Sequence, residues 1–148
     1  VNARLEPLTG WRIVGVPGLI PDAAFYDHLA HRRFPVTVWI RKREELDYLV
    51  EPDLFHDFFG HVPLLSNPVF ADYMQEYGRR GVEAGPNVHL LARLYWFTVE
   101  FGLIRTEEGL KAYGAGILSS AAEVKHAIEG ENVERLPFEA AKVMHRPY

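Results

Sequence analysis

Apolar residues in this chain gather into short clusters separated by Gly and Pro, which reads as short elements joined by turns. Residues 1–21 hold one short strand, Trp11 to Val16, followed by a Pro17-Gly18 turn. Pro21-Asp22 opens a helix over 22–32. Residues 35–41 are rich in β-branched and aromatic types and predict a second strand. A charged connector, Lys42 to Asp47, leads to a helix over 52–60, with Pro52 at an early position and Asp53 in the first turn. Gly60 and Pro63 are its stop signals. Asn67-Pro68 starts a helix over 68–79, and 81–87 is a loop. The longest helical pattern covers 88–104. Gly109 to Gly116 turns the chain, 117–129 is a strand or bend running into a helix, and 137–145 is a short terminal helix. The pattern predicts a mostly α chain with a few short strands, of the α+β class.

Composition narrows the function. The 148 residues suffice for one domain with its own core. Hydrophobic residues are 48% and charged residues 24%, an ordinary globular balance. Net charge is −4 and no basic block is present, so no nucleic-acid surface is expected. No apolar run approaches the roughly 20 residues of a membrane span, and the start carries no signal-peptide pattern. The expectation is a cytoplasmic monomer. The absence of Cys excludes disulfides, thiolate metal sites and cysteine nucleophiles. Any metal must therefore be held by His and carboxylate. Aromatic residues, at 13%, fit an aromatic-lined pocket.

The run Glu51-Pro52-Asp53-Leu54-Phe55-His56-Asp57-Phe58-Phe59-Gly60-His61-Val62-Pro63 carries the strongest chemical signal. His56 and His61 are five apart, so on a regular helix they point about 140° away from each other. A helix break at Gly60 lets His61 swing back toward His56. Two unrelated His at a helix end would give the same spacing. The arrangement differs from the zinc-protease motif, where two His four apart flank a Glu. Glu100 is the one charged residue between Leu94 and Ile104. Arg93 lies seven residues before it and Arg105 five after, so no cation sits one turn away. A buried carboxylate needs a cation, a hydrogen-bond network or a raised pKa. The alternative is a helix rotated to put Glu100 in solvent. Two His and one carboxylate are the ligands of a mononuclear non-haem iron site with open positions. His28, His31, His89, His126 and His145 are peripheral. Arg41 is either a solvated strand end or a bidentate clamp for a substrate carboxylate. Tyr95, Trp96 and Phe101 flank Glu100 as core or as the wall of a ring-binding pocket.

Taken together, these segments resemble the pterin-dependent aromatic amino acid hydroxylases, the bacterial phenylalanine 4-hydroxylases in particular. The shared motifs run from Leu8-Thr9-Gly10-Trp11 to about Met144. They include Arg32-Arg33-Phe34-Pro35, Trp39-Ile40-Arg41-Lys42, Leu46-Asp47-Tyr48, Glu51-Pro52-Asp53 and Gly60-His61-Val62-Pro63-Leu64. They continue with Asn67-Pro68-Val69-Phe70-Ala71, Leu91-Ala92-Arg93-Leu94-Tyr95-Trp96 and Tyr113-Gly114-Ala115-Gly116-Ile117-Leu118-Ser119-Ser120. The resemblance implies Fe(II) on His56, His61 and Glu100, and a tetrahydropterin that supplies two electrons. It implies O2-dependent hydroxylation of phenylalanine to tyrosine. Arg41 matches the residue that binds the substrate carboxylate, and Pro52, Trp96, Phe101, Gly116 and Ser119 match the amino-acid pocket. Phe25 matches the aromatic that stacks on the pterin, with Gly18, Leu19, Ile20, Asp57 and Tyr95 around it. Asp57 and Glu51 are expected to orient ligands and waters. Family catalytic domains are longer, so the chain is expected to be one catalytic-domain core with flanking segments missing on both sides. Hydroxylation of tryptophan or another aromatic acid, a metal-binding fragment without activity, and a zinc hydrolase are the competing readings.

Overall fold

The computed structural model describes residues 1–46, 49 and 51–148. Asp47 and Tyr48 of the Leu46-Asp47-Tyr48 motif, and the end of the Lys42 to Asp47 connector, lie outside the described residues. Among the described residues the chain is mostly helical with two two-stranded sheets, in agreement with the class read from the pattern.

Helix α1 (Asn2–Thr9) precedes strand β1 (Arg12–Val16), and Gly10, at φ 74°, makes the left-handed exit between them. This helix has no counterpart in the sequence reading. It contains Pro7 and buries only Leu5 and Thr9, so no helical stripe was there to see. Helix α2 (Asp22–Ala30) crosses to strand β2 (Arg33–Thr37), which pairs in parallel with β1 from Arg12↔Arg33 to Val16↔Thr37. The second strand starts earlier than the predicted 35–41 and stops at Thr37. Beyond it the chain turns, and Arg41 N donates to the buried carboxylate of Asp53 instead of extending the ladder.

Helix α3 (Pro68–Glu83) begins on an Asn67 cap whose side chain accepts from Val69 N and Phe70 N. It packs on α2 at very short range. A Cβ on Gly78 would stand 2.3 Å from Ala30 N, and one on Gly81 would stand 1.9 Å from the Tyr26 ring. Trp11, Leu29, Leu65, Ala71 and Met74 are fully buried around this contact and form the core.

Two segments depart from the predicted helices in the same way. Leu54 and Phe55 enter a π-helical stretch, His56–His61, in which Val62 N donates to Asp57 O, five residues back. Helix α4 (Val88–Tyr95) likewise passes into a π-helical stretch, Trp96–Glu100, with Phe101 N donating to Trp96 O. Gly60 therefore does not break the helix, as the sequence reading had it. Its Cβ would lie 2.7 Å from Ala115 Cβ and 2.9 Å from Ala115 Cα, so it is needed for close approach of another element. The predicted helix over 88–104 also overruns. After Glu100 the chain forms a hairpin of β3 (Leu103–Thr106) and β4 (Gly109–Ala112), turning at Gly109 with φ 116°. Three residues of β3 are exposed, so this strand has no alternating apolar signature. Helices α5 (Ala115–Leu118), α6 (Ala121–Glu129) and α7 (Ala140–His145) complete the chain. Among the described residues no helix is long and apolar enough to cross a membrane.

Candidate metal centre and its cavity

The two π-helical stretches carry the three residues singled out from the sequence. Widening a turn to i→i+5 hydrogen bonds turns residues five apart toward one side, which is what His56 and His61 require. Such bulges are rare and cluster at functional sites. The two Nε2 atoms stand 3.1 Å apart. Glu100 closes the triangle, with Oε1 3.0 Å from His61 Nε2 and Oε2 3.5 Å from His56 Nε2. Donor atoms about 2.1 Å from one ion and at right angles to each other stand about 3.0 Å apart. The three side chains thus fit one face of a metal ion, and Glu100 is turned inward rather than to solvent.

Electrostatics support the same arrangement. Burial and the neighbouring His61 depress the His56 imidazole below its ordinary value, against the pull of Glu100. Burial acts to raise Glu100, but the facing imidazoles of His61 and His56 prevail and hold its carboxyl below the usual range. A neutral imidazole beside an ionised carboxylate is the protonation state in which these groups ligate metal. His56 Nδ1 lies 2.8 Å from Ser119 Oγ; with the proton on Nδ1 the ring donates to that hydroxyl and frees the Nε2 lone pair. The Phe34 ring, 4.9 Å away, packs against His61.

Asp57 is a further carboxylate whose donor atom lies within 4.8 Å of those of His56 and His61. One of its oxygens already accepts from Thr37 N at 2.7 Å and Thr37 Oγ1 at 2.9 Å, which ties it to the end of β2. Burial pushes its carboxyl up. Glu100, in contact with both Nε2 atoms, is the better third ligand.

Arg41 is a placed group and not a free strand end. Its Nε and Nη2 donate to Asp53 at 3.0 and 2.7 Å, and its Nη1 donates to Ser119 O at 2.9 Å. The guanidinium carbon sits 5.1 Å from the centre of the Phe55 ring. A guanidinium has five N–H donors. One on Nη1 and one on Nη2 remain for a ligand. Asp53 is fully buried and also accepts from His56 N at 2.9 Å, so it joins the cation to the His56–His61 stretch. Burial alone would raise its carboxyl, but Arg41 and the two backbone N–H groups hold it down at about 2. Sequence reasoning placed Asp53 only as a first-turn acid. Nothing in the spacing announces a partner twelve residues earlier in a chain that turns between them.

A cavity of about 580 Å³ unites the remaining candidates. Gly18, Leu19, Ile20, Phe25, Asp57 and Tyr95 line it, and so do Arg41, Pro52, Trp96, Phe101, Gly116 and Ser119. His56, His61 and Glu100 lie on the same wall system. Gly114, which caps α5, and Gly116 within it matter here. A Cβ on Gly114 would stand 2.3 Å from Glu100 O, and one on Gly116 would stand 3.0 Å from the Phe101 ring, so α5 seats directly on the Glu100 stretch.

The α+β fold thus brings two histidines and a carboxylate together beside an aromatic-walled cavity. Residues 1–148 match the family described as biopterin-dependent aromatic amino acid hydroxylase. The chain belongs to that family. It is 54% identical over 151 residues to a phenylalanine-4-hydroxylase of Mesorhizobium japonicum, covering 100% of this chain and 55% of the relative. It is similar to the crystal structure of Chromobacterium violaceum phenylalanine hydroxylase with bound iron(III) and oxidised cofactor 7,8-dihydrobiopterin. That match has a TM-score of 0.95 and 56% identity, over 99% of this chain and 54% of the other. The iron- and phenylalanine-bound structure of the same bacterial enzyme gives a TM-score of 0.92 and 53% identity, over 99% and 53%. The chain thus spans about half the length of the relatives it matches.

Proposed function

We propose that this chain is the core of a single catalytic domain that hydroxylates the ring of phenylalanine to give tyrosine, using Fe(II), a tetrahydropterin and O2. The observation that carries the proposal is the convergence of His56 Nε2, His61 Nε2 and the Glu100 carboxylate within 3.0–3.5 Å, in the same cavity as Arg41. Relatives crystallised with iron and dihydrobiopterin, and with iron and phenylalanine, support it. When bound, iron and the pterin supply the electrons that reduce O2 for transfer of one oxygen atom to the ring.

The protein's own part is placement. His56, His61 and Glu100 hold the metal on one face and leave the opposite face to the cavity. Ser119 fixes the His56 ring through Nδ1. Arg41 meets the amino acid's carboxylate with its two remaining donors, and Asp53, Ser119 O and Phe55 keep the guanidinium aimed. Trp96 and Phe101, with ring centres 4.6 Å apart, wall the side where an aromatic ring enters, alongside Pro52 and Gly116. Fixing both ends of the substrate in this way is the proximity term of catalysis. Phe25 offers a ring face to a flat bicyclic cofactor, and Gly18, Leu19, Ile20, Asp57 and Tyr95 surround it. A cytoplasmic monomer acting on small molecules, without nucleic-acid or membrane partners, is consistent with the composition.

The test is iron loading of the native-length protein under anaerobic conditions, then addition of O2, tetrahydropterin and phenylalanine. Tyrosine formation and stoichiometric iron are expected, and both are lost in Glu100→Ala. Iron retention and ring hydroxylation in Glu100→Ala overturn the ligand assignment. A panel including tryptophan identifies the preferred ring.

A further inference from the structure

We propose that Tyr95, Tyr77 and Tyr73 form a relay that carries an oxidising equivalent from the candidate metal centre to the protein surface, where a reductant in solution removes it. The inference rests on reading the centre as an oxygen-using one. The three phenols form an unbroken row. The Tyr95 ring centre is 6.2 Å from that of His61, Tyr77 is 5.6 Å from Tyr95, and Tyr73 is 6.1 Å from Tyr77. Interplanar angles of 30° and 36° tilt the first two pairs, and the Tyr73–Tyr77 pair is stacked at 28°. The row starts at an imidazole of the centre, passes through Tyr77, which is 5% exposed, and ends at Tyr73, which is 42% exposed.

Packing alone does not ask for phenols. Phenylalanine fills the same space without burying a hydroxyl, whose desolvation has a cost. Phenylalanines border the row, Phe25 5.5 Å from Tyr95 and Phe70 6.2 Å from Tyr73, and one further phenol, Tyr26, lies 5.5 Å from Tyr77. The Tyr77 hydroxyl is instead supported, donating to Leu91 O and meeting the Tyr26 hydroxyl at 3.0 Å. Beyond these hydrogen bonds, a phenol adds to a phenyl ring the capacity for one-electron oxidation with loss of its hydroxyl proton.

The step balances as follows. The oxidant is the oxygen-derived equivalent left at the centre when O2 is reduced with no aromatic substrate present. One electron passes from Tyr73 through Tyr77 and Tyr95 to the centre, the Tyr73 hydroxyl proton goes to water, and the centre takes up one proton from water; a second such transfer completes the two-electron reduction of the oxygen atom to water. The neutral phenoxyl radical left on Tyr73 then takes a hydrogen atom from a thiol or an ascorbate-class reductant, which restores the phenol. The relay spares the cavity wall, where Trp96 is the competing oxidisable ring.

The test uses the native-length, iron-loaded protein with tetrahydropterin and O2 but no amino acid. Samples are freeze-quenched for electron paramagnetic resonance, and parallel samples receive a spin trap for mapping by mass spectrometry. Pterin oxidation is followed in both. A tyrosyl signal that narrows with ring-deuterated tyrosine, and a trap adduct on Tyr73, are expected. Tyr73→Phe, an exposed change, removes the adduct and increases oxidation of Trp96 per pterin consumed. Tyr77→Phe, checked for intact folding by its unfolding midpoint, removes the adduct although Tyr73 is still present. Pterin oxidation without a tyrosyl signal overturns the relay and leaves the oxygen-using reading standing, as does an adduct on Tyr73 that survives Tyr77→Phe. Absence of pterin oxidation overturns both.

Discussion

Replacing Asp53 by Asn separates what holds this site together from what it binds. Asp53 is fully buried, and its carboxylate takes Arg41 N, Nε and Nη2 together with His56 N. Its pKa falls from 3.8 to about 2 in the folded protein. At about 1.4 kcal/mol for each tenfold change in proton affinity, that drop corresponds to about 2 kcal/mol of stability. Because the folded value is the lower one, this stabilisation is complete above pH 3.8 and fades as pH falls toward about 2. Asp53→Asn keeps the shape and loses the charge, and its amide N–H₂ faces a guanidinium donor. The expected loss at neutral pH is about 2 kcal/mol, read from urea unfolding, and the gap from the parent narrows in acid. Asp53→Ala leaves the guanidinium buried and unpaired and costs about 3–5 kcal/mol. Arg41 also loses its aim, so the KM for phenylalanine rises by roughly 10- to 100-fold, the worth of one charge-assisted hydrogen bond. The double change Arg41→Met with Asp53→Leu removes both charges, so it regains stability while binding stays lost. An Asp53→Asn protein with the parent's unfolding midpoint and phenylalanine KM would refute the idea that Asp53 positions the clamp.

Three further changes probe other links. Ser119→Ala removes the partner of His56 Nδ1 but keeps the main-chain oxygen that meets Arg41, so metal affinity falls by about 10- to 100-fold by competitive chelation while phenylalanine binding to metal-loaded protein holds. Gly60→Ala drives a methyl to 2.7 Å from Ala115 Cβ and 2.9 Å from Ala115 Cα; a loss of about 1–3 kcal/mol in urea unfolding and lower iron content are expected. Phe55→Leu removes the ring 5.1 Å from the Arg41 guanidinium, worth about 0.5–1 kcal/mol, and raises the phenylalanine KM about two- to fivefold with kcat unchanged in steady-state assays.

Residue chemistry was more legible in this sequence than backbone geometry. Glu100 stood out because a lone carboxylate in an apolar run has to be explained, and it does face two imidazoles. Arg41 and the aromatics beside Glu100 were candidates on residue chemistry, and the family motifs added Pro52, Gly116, Ser119, Phe25 and the 18–20 segment. Asp53 did not stand out, because its role depends on a cation that reaches it only when the chain turns away after Thr37. Helix α1 and the β3–β4 hairpin escaped notice for a related reason. Both are half-exposed and take their stability from contacts that leave no periodic trace.

The five-residue spacing of His56 and His61 shows why backbone was the harder part. On an α-helix the spacing is wrong for a shared ligand, and a break at Gly60 was the simplest repair available from sequence. The chain solves the problem without a break, by widening the turn, and repeats the solution at Trp96–Glu100 on the opposite side of the centre. A widened turn is a poor choice on local energetics alone, so something outside it must hold it. At the first turn Asp53 bonds His56 N, Asp57 bonds Thr37, and Ala115 presses on Gly60. At the second, Gly114 lets α5 reach the Glu100 carbonyl. The same short helix and the residue that caps it thus clamp both turns, through Ala115 on one and Gly114 on the other. The separation of the imidazoles from the carboxylate therefore rests in part on α5, an element that carries none of the three side chains.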